Sequence, residues 1–202
     1  IEPNSGYLTK VRERCSKVGT LLILDEIQPG FGRTGKLFAF ENYNCVPDIL
    51  VIGKGMASGL PVGAFVASNE MMSTLQDNPK MGHITTFGGN PVIASASLAT
   101  LSHIVESDIM VDTLTKEKHI RRVLKHKYIK EIRGKGLMLA LILETPEIAD
   151  YLILTAAKEH LILFWLLFEK HAARITPPLT ISLSEIDEGC EIILRILNEY
   201  EQ

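Results

Sequence analysis

The sequence predicts an α/β protein in which a mainly parallel sheet with helical cover is followed by a smaller α+β domain. Two short runs, LLIL and ILVIG, contain only apolar residues and glycine, which is typical of strands buried on both faces of a parallel sheet. We therefore predict that residues 1–103 form part of a large α/β domain and residues 104–202 a small α+β domain.

The first part is predicted to begin with a helix, because residues 8–18 have apolar side chains near helical spacing and Gly19 provides a stop. The elements expected after it are a strand at LLILD (residues 21–25), a glycine-rich loop, strands within residues 48–55 and 61–68, and a long helix over residues 92–105.

The second part is predicted to open with a charged helix. A strand over residues 137–143, a helix around residues 148–160, a strand around residues 161–168 and a final helix over residues 185–200 are expected to follow. The run LILFWLLF (residues 161–168) is too short to span a bilayer, so we expect a buried element and no membrane association.

The composition indicates an ordinary globular protein, with 46% hydrophobic and 22% charged residues and a net charge of -3. This slightly acidic balance gives no reason to expect a nucleic-acid partner. The one basic stretch, residues 116–136, is interpreted as the solvated face of a helix and the turn after it.

Three cysteines, Cys15, Cys45 and Cys190, are far apart and have no metal-binding spacing. We therefore expect reduced thiols, a cytoplasmic location and no metal site. The first ten residues, IEPNSGYLTK, do not have the pattern of a signal peptide.

A carboxylate and an amine stand at corresponding places in two predicted strands. Asp25 ends LLILD, and Lys54 follows DILVIG. In an open α/β sheet, ligands bind at the carboxyl ends of the strands. A lysine there can form an imine with a pyridine-aldehyde cofactor, while a carboxylate keeps the ring nitrogen protonated. The alternative is that Lys54, which has a glycine on each side, is only an exposed turn residue.

The segment TTFGGNP, residues 85–91, could bind the phosphate of such a cofactor. It offers two hydroxyl groups, amides freed by glycine and the N-terminus of the following helix, all of which suit an anion.

The same region also permits a nucleotide-hydrolase interpretation, because GFGRTGK (residues 30–36) fits the pattern GxxxxGK. That loop needs Ser or Thr after the lysine to bind magnesium, and here Leu37 follows. It should also precede the acidic strand, whereas here it comes after Asp25. Both the residue type and the order argue against a nucleotide hydrolase.

Three blocks of the sequence resemble the signature blocks of the class III aminotransferases, which use pyridoxal 5'-phosphate (PLP). They are LLILDEIQPGFGRTGKLFAFE, PDILVIGKGMASGLPVGAFVAS and HITTFGGNP, and the resemblance continues through IKEIRGKGLMLAL and ARITPPLTIS. This family includes acetylornithine, ornithine and 4-aminobutyrate aminotransferases. The resemblance implies the C-terminal part of a type I PLP-dependent transferase fold, normally a homodimer with its active sites at the interface.

The resemblance also implies a role for particular residues. Lys54 would be the Schiff-base lysine, Asp25 would pair with the pyridine nitrogen, and Gln28 would contact the ring hydroxyl. Thr86 would bind the cofactor phosphate, in this family usually that of the neighbouring subunit. Arg174 would grip a substrate carboxylate.

The implied activity is transfer of an amino group from an acetylornithine-like or ornithine-like donor to a 2-oxo acid such as 2-oxoglutarate. An alternative is 4-aminobutyrate or another omega-amino acid as donor, and another is an incomplete, inactive PLP-fold fragment. Arg33 and Lys36 are assigned no chemistry, and we expect them at a surface or interface.

The sequence also departs from the family pattern. Class III chains are about twice as long, and the phosphate-binding Ser/Gly turn and the aromatic that stacks on the ring are not found here. Only Asn4 and Ser5 stand where the family has a glutamine-glycine-glutamate loop. We therefore expect residues 1–202 alone to bind PLP weakly.

Overall fold

The structure is a computed structural model that describes residues 2–77 and 79–200. It divides into two compact units. The N-terminal unit comprises residues 3–32 and 36–108, and the C-terminal unit comprises residues 33–35 and the chain from residue 109 onward, together with residue 2. The predicted boundary at residue 103 lies inside a helix, and the division by contacts falls at residues 108 and 109.

The N-terminal unit contains three strands and three α-helices among the described residues. They are α1 (Tyr7–Val18), β1 (Ile23–Asp25), β2 (Ile49–Gly53), β3 (Gly63–Ala67), α2 (Asn69–Asp77) and α3 (Pro91–Glu106), with short 3₁₀ helices at Ala39–Tyr43 and Lys54–Ala57. Gly19 ends α1 in the left-handed conformation, at a φ of 69°, as its position predicted. The three strands and two of the helices were predicted, and α2 was not.

The sheet of the N-terminal unit has the order β1-β2-β3. Strands β1 and β2 are parallel, whereas β3 is antiparallel to β2. The connection from β2 to β3 explains this, because a parallel return needs a crossover of a dozen or more residues and only residues 54–62 are available.

Strand β1 is not buried on both faces, contrary to the sequence prediction. Leu22 is 7% exposed, whereas the side chain of the next residue, Ile23, is 55% exposed. Successive side chains of an extended chain point to opposite faces, so only one face of this segment contacts the core.

The C-terminal unit contains three helices and a four-stranded sheet among the residues that the structure describes. Its elements are α4 (Ile109–Val123), β4 (Ile129–Lys135), β5 (Met138–Leu143), α5 (Pro146–Lys158), β6 (Phe164–Leu166), β7 (Glu169–Ile175) and α6 (Leu183–Glu199). The sheet order is β4-β5-β7-β6, and every neighbouring pair is antiparallel. Its core is aliphatic and includes Leu139, Leu141, Leu152, Ile196 and Leu197.

Two predictions for the C-terminal unit are wrong. Residues 129–135, interpreted as part of a helix and its turn, form β4, because they pair with β5. The run of residues 161–168 is not one buried element: it leads into a hairpin, and Leu167 and Phe168 at its tip are each 92% exposed. Reversal of the chain between β6 and β7 places these two residues outside the ladder.

No helix within residues 2–77 and 79–200 has both the length and the apolarity needed to cross a membrane.

Candidate active site

Asp25 ends strand β1 and remains accessible to solvent. Its Oδ1 accepts a hydrogen bond of 2.9 Å from the backbone N–H of Ile27, which turns the chain out of the strand. A carboxylate has two oxygens, so this turn leaves Oδ2 available for another partner. Gln28 lies exposed in the same turn, three residues after Asp25.

The buried acid in this segment is Glu26, not its neighbour. Glu26 is 3% exposed, and its carboxylate accepts hydrogen bonds from the backbone N–H groups of Ala39 at 2.9 Å and Phe40 at 2.8 Å. Removal from water raises the pKa of Glu26, although the two N–H donors oppose this change. Glu26 therefore anchors the start of the 3₁₀ helix Ala39–Tyr43, a role that the sequence analysis did not identify.

Lys54 directly follows β2 and has an unusual backbone conformation. Its φ is 47°, in the left-handed region that residues other than glycine rarely adopt. Such backbone strain is concentrated at functional sites. The side chain is exposed, and among the described residues it has no hydrogen-bond or ion-pair partner.

Both glycines beside Lys54 lie where other atoms come close. A Cβ on Gly53 would stand 3.1 Å from the carbonyl oxygen of Val62, and a Cβ on Gly55 would stand 3.5 Å from the Cβ of Phe31. Phe31 is itself buried and packs edge-on against Phe38, with ring centroids 5.6 Å apart. The turn that carries Lys54 therefore rests on an aromatic pair from the loop after β1.

Strand pairing brings the acid and the lysine to one edge of the sheet. Asp25 is the register partner of Val51, and Lys54 is three residues further along the parallel strand. The carboxyl ends of β1 and β2 thus point the same way, as the sequence predicted for a ligand-binding edge.

Thr86 lies in an exposed series of turns that precedes α3. The side chain of Asn90 caps this helix and accepts hydrogen bonds from the N–H groups of Val92 at 3.0 Å and Ile93 at 3.4 Å. These two helix donors are therefore already satisfied, contrary to the expectation that they serve an anion. The cap of α3 does not use the hydroxyl groups of Thr85 and Thr86, which therefore stay candidates for binding an anion.

Helix α3 is attached to the turn that follows Lys54. The hydroxyl group of Thr100 donates to the hydroxyl oxygen of Ser58 at 3.0 Å. The chain ahead of Thr86 is also anchored, because the ring of His83 packs edge-on against Phe65 of β3, with centroids 5.0 Å apart.

Arg174 belongs to the C-terminal unit, where it lies on β7 between Ala140 of β5 and Phe164 of β6. Its guanidinium carbon stands 5.1 Å from the centre of the Phe164 ring. The Nε atom is buried and has no hydrogen-bond partner among the described residues. Arg174 forms no ion pair with any acidic residue in that part of the chain.

Arg33 is half-buried and bonded within the C-terminal unit, so it is not a plain surface residue. Its Nη1 donates to the backbone carbonyl oxygens of Leu137 at 3.2 Å and Pro177 at 2.5 Å. No signal in the sequence indicated these contacts, because the acceptors are more than a hundred residues away. Lys36 is exposed, as expected.

The chemistry of these groups fits PLP. An amine without a partner, a carboxylate with one oxygen available and hydroxyl groups for a phosphate are the donors and acceptors that the cofactor needs. No cluster of three or more His, Cys, Asp or Glu residues that could hold a metal ion is found in residues 2–77 and 79–200.

Comparison with known proteins identifies the family. Residues 1–197 match the family described as aminotransferase class-III. The chain belongs to this family. The class III chain is also similar to solved structures of aminotransferases, which share the type I PLP-dependent fold predicted from the sequence.

Ornithine aminotransferase from Plasmodium yoelii is 30% identical with a TM-score of 0.86, and the match covers 99% of this chain and 54% of that one. Acetylornithine aminotransferase from Elizabethkingia anophelis is 31% identical with a TM-score of 0.86, over 98% of this chain and 50% of that one. A transaminase from the marine bacterium Virgibacillus is 26% identical with a TM-score of 0.90, and the match covers 98% of this chain and 49% of that one. The class III chain thus spans about half the length of these relatives.

Proposed function

We propose that this class III aminotransferase chain takes part in PLP-dependent transfer of an amino group from an acetylornithine-like or ornithine-like donor to a 2-oxo acid such as 2-oxoglutarate. One observation carries the proposal. Lys54, in a left-handed conformation, directly follows β2, and Asp25 ends the parallel strand β1 that pairs with β2. The names of the similar ornithine and acetylornithine enzymes support the choice of donor.

In this proposal PLP, when bound, supplies an electron sink and a carbonyl group for amine exchange. Asp25 holds a proton at the ring nitrogen through its available oxygen, Gln28 contacts the ring hydroxyl, and Thr86 binds the phosphate. The exposed Lys54 amine binds the cofactor covalently. When it is not bound to the cofactor, the Lys54 amine would accept the proton of the substrate carbon as a general base and later release it as a general acid.

Arg174 is proposed to bind the carboxylate of the donor or acceptor. Its planar guanidinium can make two parallel hydrogen bonds to a carboxylate, which a lysine cannot reproduce. We also propose, from the family resemblance alone, a large cofactor-binding and a small C-terminal domain, a homodimer with active sites at its interface and a cytoplasmic location.

Borohydride reduction of the full-length protein with bound PLP tests the central assignment. Peptide mapping is expected to find the reduced cofactor on Lys54, and the Lys54→Ala variant should carry no label. Lys36→Ala is the matched control, since Lys36 is also an exposed lysine and lies in the loop after β1, and this variant should be labelled like the native protein. A label on Lys36 or Lys135 contradicts the assignment.

The donor is tested in a single half-reaction, in which the cofactor absorbance is followed after addition of N-acetylornithine, ornithine or 4-aminobutyrate. Fast conversion with either of the first two supports the proposal. Conversion with 4-aminobutyrate alone favours the omega-amino acid alternative, and no conversion with any donor favours an inactive fragment.

A further inference from the structure

The segment that follows β7 is held in place by two cations from elsewhere in the C-terminal unit. We call residues 176–181 the proline segment, because Pro177 and Pro178 lie in it. Arg33 Nη1 donates to the carbonyl oxygen of Pro177 at 2.5 Å, and Lys116 Nζ donates to that of Leu179 at 2.6 Å. Proline has no N–H group and cannot continue a strand ladder. Beyond the end of β7, the carbonyl oxygens of Pro177 and Leu179 therefore accept from side chains instead of from a neighbouring strand.

Arg33 is itself fixed by backbone contacts to the turn between β4 and β5. Leu137 donates its N–H to the carbonyl oxygen of Arg33 at 3.0 Å, and Arg33 Nη1 donates to the carbonyl oxygen of Leu137 at 3.2 Å. Gly136 lies so close that a Cβ there would stand 2.4 Å from the Arg33 oxygen. The guanidinium therefore extends from a tightly packed base and not from a mobile loop.

Helix α4 holds the same turn from another direction. The carboxylate of Glu117 accepts the N–H of Gly136 at 2.6 Å, and Arg121 donates to the carbonyl oxygen of Gly134 at 2.6 Å. Glu117 and Arg121 are also joined to each other at 2.8 Å. The turn that Arg33 contacts is thus a fixed point within the C-terminal unit.

Arg174 is only three residues before the carbonyl that Arg33 holds. Pairing with Ala140 fixes Arg174 along β7, but the ladder between β5 and β7 ends at Ile175. Beyond that residue, the first side-chain hydrogen bond to the chain among the described residues is that of Arg33 with the carbonyl oxygen of Pro177. Movement of Pro177 would be transmitted directly to the end of β7.

We propose that Arg33 is a positioning residue that holds the proline segment and thereby fixes Arg174 for binding of a substrate carboxylate. This proposal rests on the role proposed above for Arg174. Arg33 meets carbonyl oxygens and no carboxylate in these contacts, so its guanidinium has no neutralising partner there. Burial lowers its pKa, yet arginine stays charged at physiological pH. The charged guanidinium of Arg33 is thus used to hold two backbone carbonyl oxygens in place, which is what positioning of the proline segment requires.

The test is a double-mutant cycle in the full-length protein with PLP bound. Arg33→Met, Arg174→Met and the double variant are compared by the dissociation constant of glutarate, a dicarboxylate that has no amino or oxo group to react, measured by calorimetry. We expect Arg33→Met to weaken glutarate binding by about tenfold, because a small displacement of a positioned group has a large effect. In the Arg174→Met background the effect of Arg33→Met should be less than about twofold, since the group that it positions is gone.

Thermal unfolding and a control variant separate positioning from general support. The melting temperature should fall equally when Arg33→Met is introduced into either background, because the lost contacts are the same. Arg133→Met is the control: Arg133 lies on strand β4 of the same sheet and pairs with Glu131 and Glu169 at the surface. It should leave the dissociation constant of glutarate unchanged.

Several results would overturn the proposal. Equal weakening by Arg33→Met in both backgrounds, or unchanged glutarate binding by folded Arg33→Met, makes Arg33 a structural tie only. Unchanged binding by Arg174→Met also overturns it, while leaving the borohydride test of Lys54 and the half-reaction unaffected. If Arg33→Met does not fold, Arg33→Lys replaces it. One ammonium cannot reproduce both contacts of the guanidinium. We therefore expect Arg33→Lys to weaken glutarate binding when Arg174 is present and not when it is replaced by Met.

Discussion

Asp25 and Val51 are register partners on the parallel strands β1 and β2, so that the turn carrying Lys54 begins just beyond the end of their ladder. In the function proposed above, Asp25 has one structural contact and one contact with the cofactor. One carboxylate oxygen accepts the Ile27 N–H and shapes the turn, and the other is available for the cofactor. Substitutions can remove the charge and the turn contact independently.

The first prediction concerns Asp25→Asn and Asp25→Ala. Asparagine keeps an acceptor for the Ile27 N–H, so the melting temperature of Asp25→Asn should stay close to that of the native protein. Alanine removes the acceptor and should cost about 1 kcal/mol of unfolding free energy. Both variants should have a kcat lower by about tenfold to a hundredfold, which corresponds to the loss of one charge-assisted hydrogen bond. Steady-state kinetics and thermal unfolding measure the two effects, and an Asn variant with native kcat would contradict the cofactor role.

The second prediction concerns the pH dependence of stability and uses Glu26→Gln. Burial raises the folded-state pKa of Glu26 above its ordinary value of 4.5. The folded protein therefore holds this proton more tightly than the unfolded chain, and the contribution of Glu26 to stability falls as pH rises from 4.5 through the raised pKa. Glutamine does not titrate, so Glu26→Gln should gain melting temperature relative to the native protein over that range.

Glu185→Gln provides a control of opposite sign. Hydrogen bonds from the backbone N–H and the hydroxyl group of Ser182 lower the pKa of Glu185. Its contribution is therefore present above the ordinary value of 4.5 and is lost as pH falls through the lowered pKa. Relative to the native protein, Glu185→Gln should lose melting temperature as pH rises. A shared rise with pH would contradict the assignment of Glu185, and a shared fall would contradict that of Glu26.

The sequence predicted the elements that local patterns specify. The three strands of the N-terminal unit and the glycine that ends α1 were accessible from residues close together in the chain. The edge that holds Asp25 and Lys54 followed from two strand ends and the rule that parallel strands share a direction.

What the sequence could not predict depends on contacts between distant residues. Strand β4 has a basic sequence and exists because β5 pairs with it, so its local pattern suggested a helix and a turn. Arg33 looked like an exposed loop residue, because its acceptors at residues 137 and 177 are far away in sequence. Glu26 and Asp25 are adjacent acids, and only the position of residues 39 and 40 decides which of them is buried.

The third prediction compares Gly136→Ala with Gly189→Ala. Gly136 has a φ of 61°, and a Cβ there would stand 2.4 Å from the carbonyl oxygen of Arg33 and 2.8 Å from the Cα of Thr34. The substitution combines backbone strain with a clash against backbone atoms, and we expect a loss of at least about 2 kcal/mol of unfolding free energy.

Gly189 is the matched control within the same unit. It lies inside α6, and the nearest atom to an added Cβ is Leu161 Cδ1 at 3.6 Å, an ordinary contact. Because alanine favours a helix over glycine, Gly189→Ala should stabilise the protein by about 0.5–1 kcal/mol. Chemical denaturation measures both changes. A Gly136→Ala variant as stable as the native protein would show that the turn between β4 and β5 yields easily.

The last prediction separates a substrate role for Arg174 from a structural one, using Arg174→Lys in the full-length protein. Lysine keeps the positive charge but offers a compact ammonium in place of a planar fork, so a two-point grip on a carboxylate is lost. We expect kcat/KM for carboxylate substrates to fall on the order of 10²-fold, the equivalent of about 3 kcal/mol. Reactivity with a simple amine that lacks the carboxylate should fall much less, and the cofactor absorbance should be unchanged.

The ring of Phe164 supplies the control for this experiment. It stands 5.1 Å from the Arg174 guanidinium carbon, and a lysine in the same place can also lie over an aromatic ring. The melting temperature of Arg174→Lys should therefore stay near that of the native protein. Phe164→Leu removes the aromatic face and leaves the guanidinium present. It should therefore lower kcat/KM for carboxylate substrates by a smaller factor than Arg174→Lys does. Equal loss of activity toward carboxylate and amine substrates, or a melting temperature several degrees lower for Arg174→Lys, would make Arg174 a structural residue of β7.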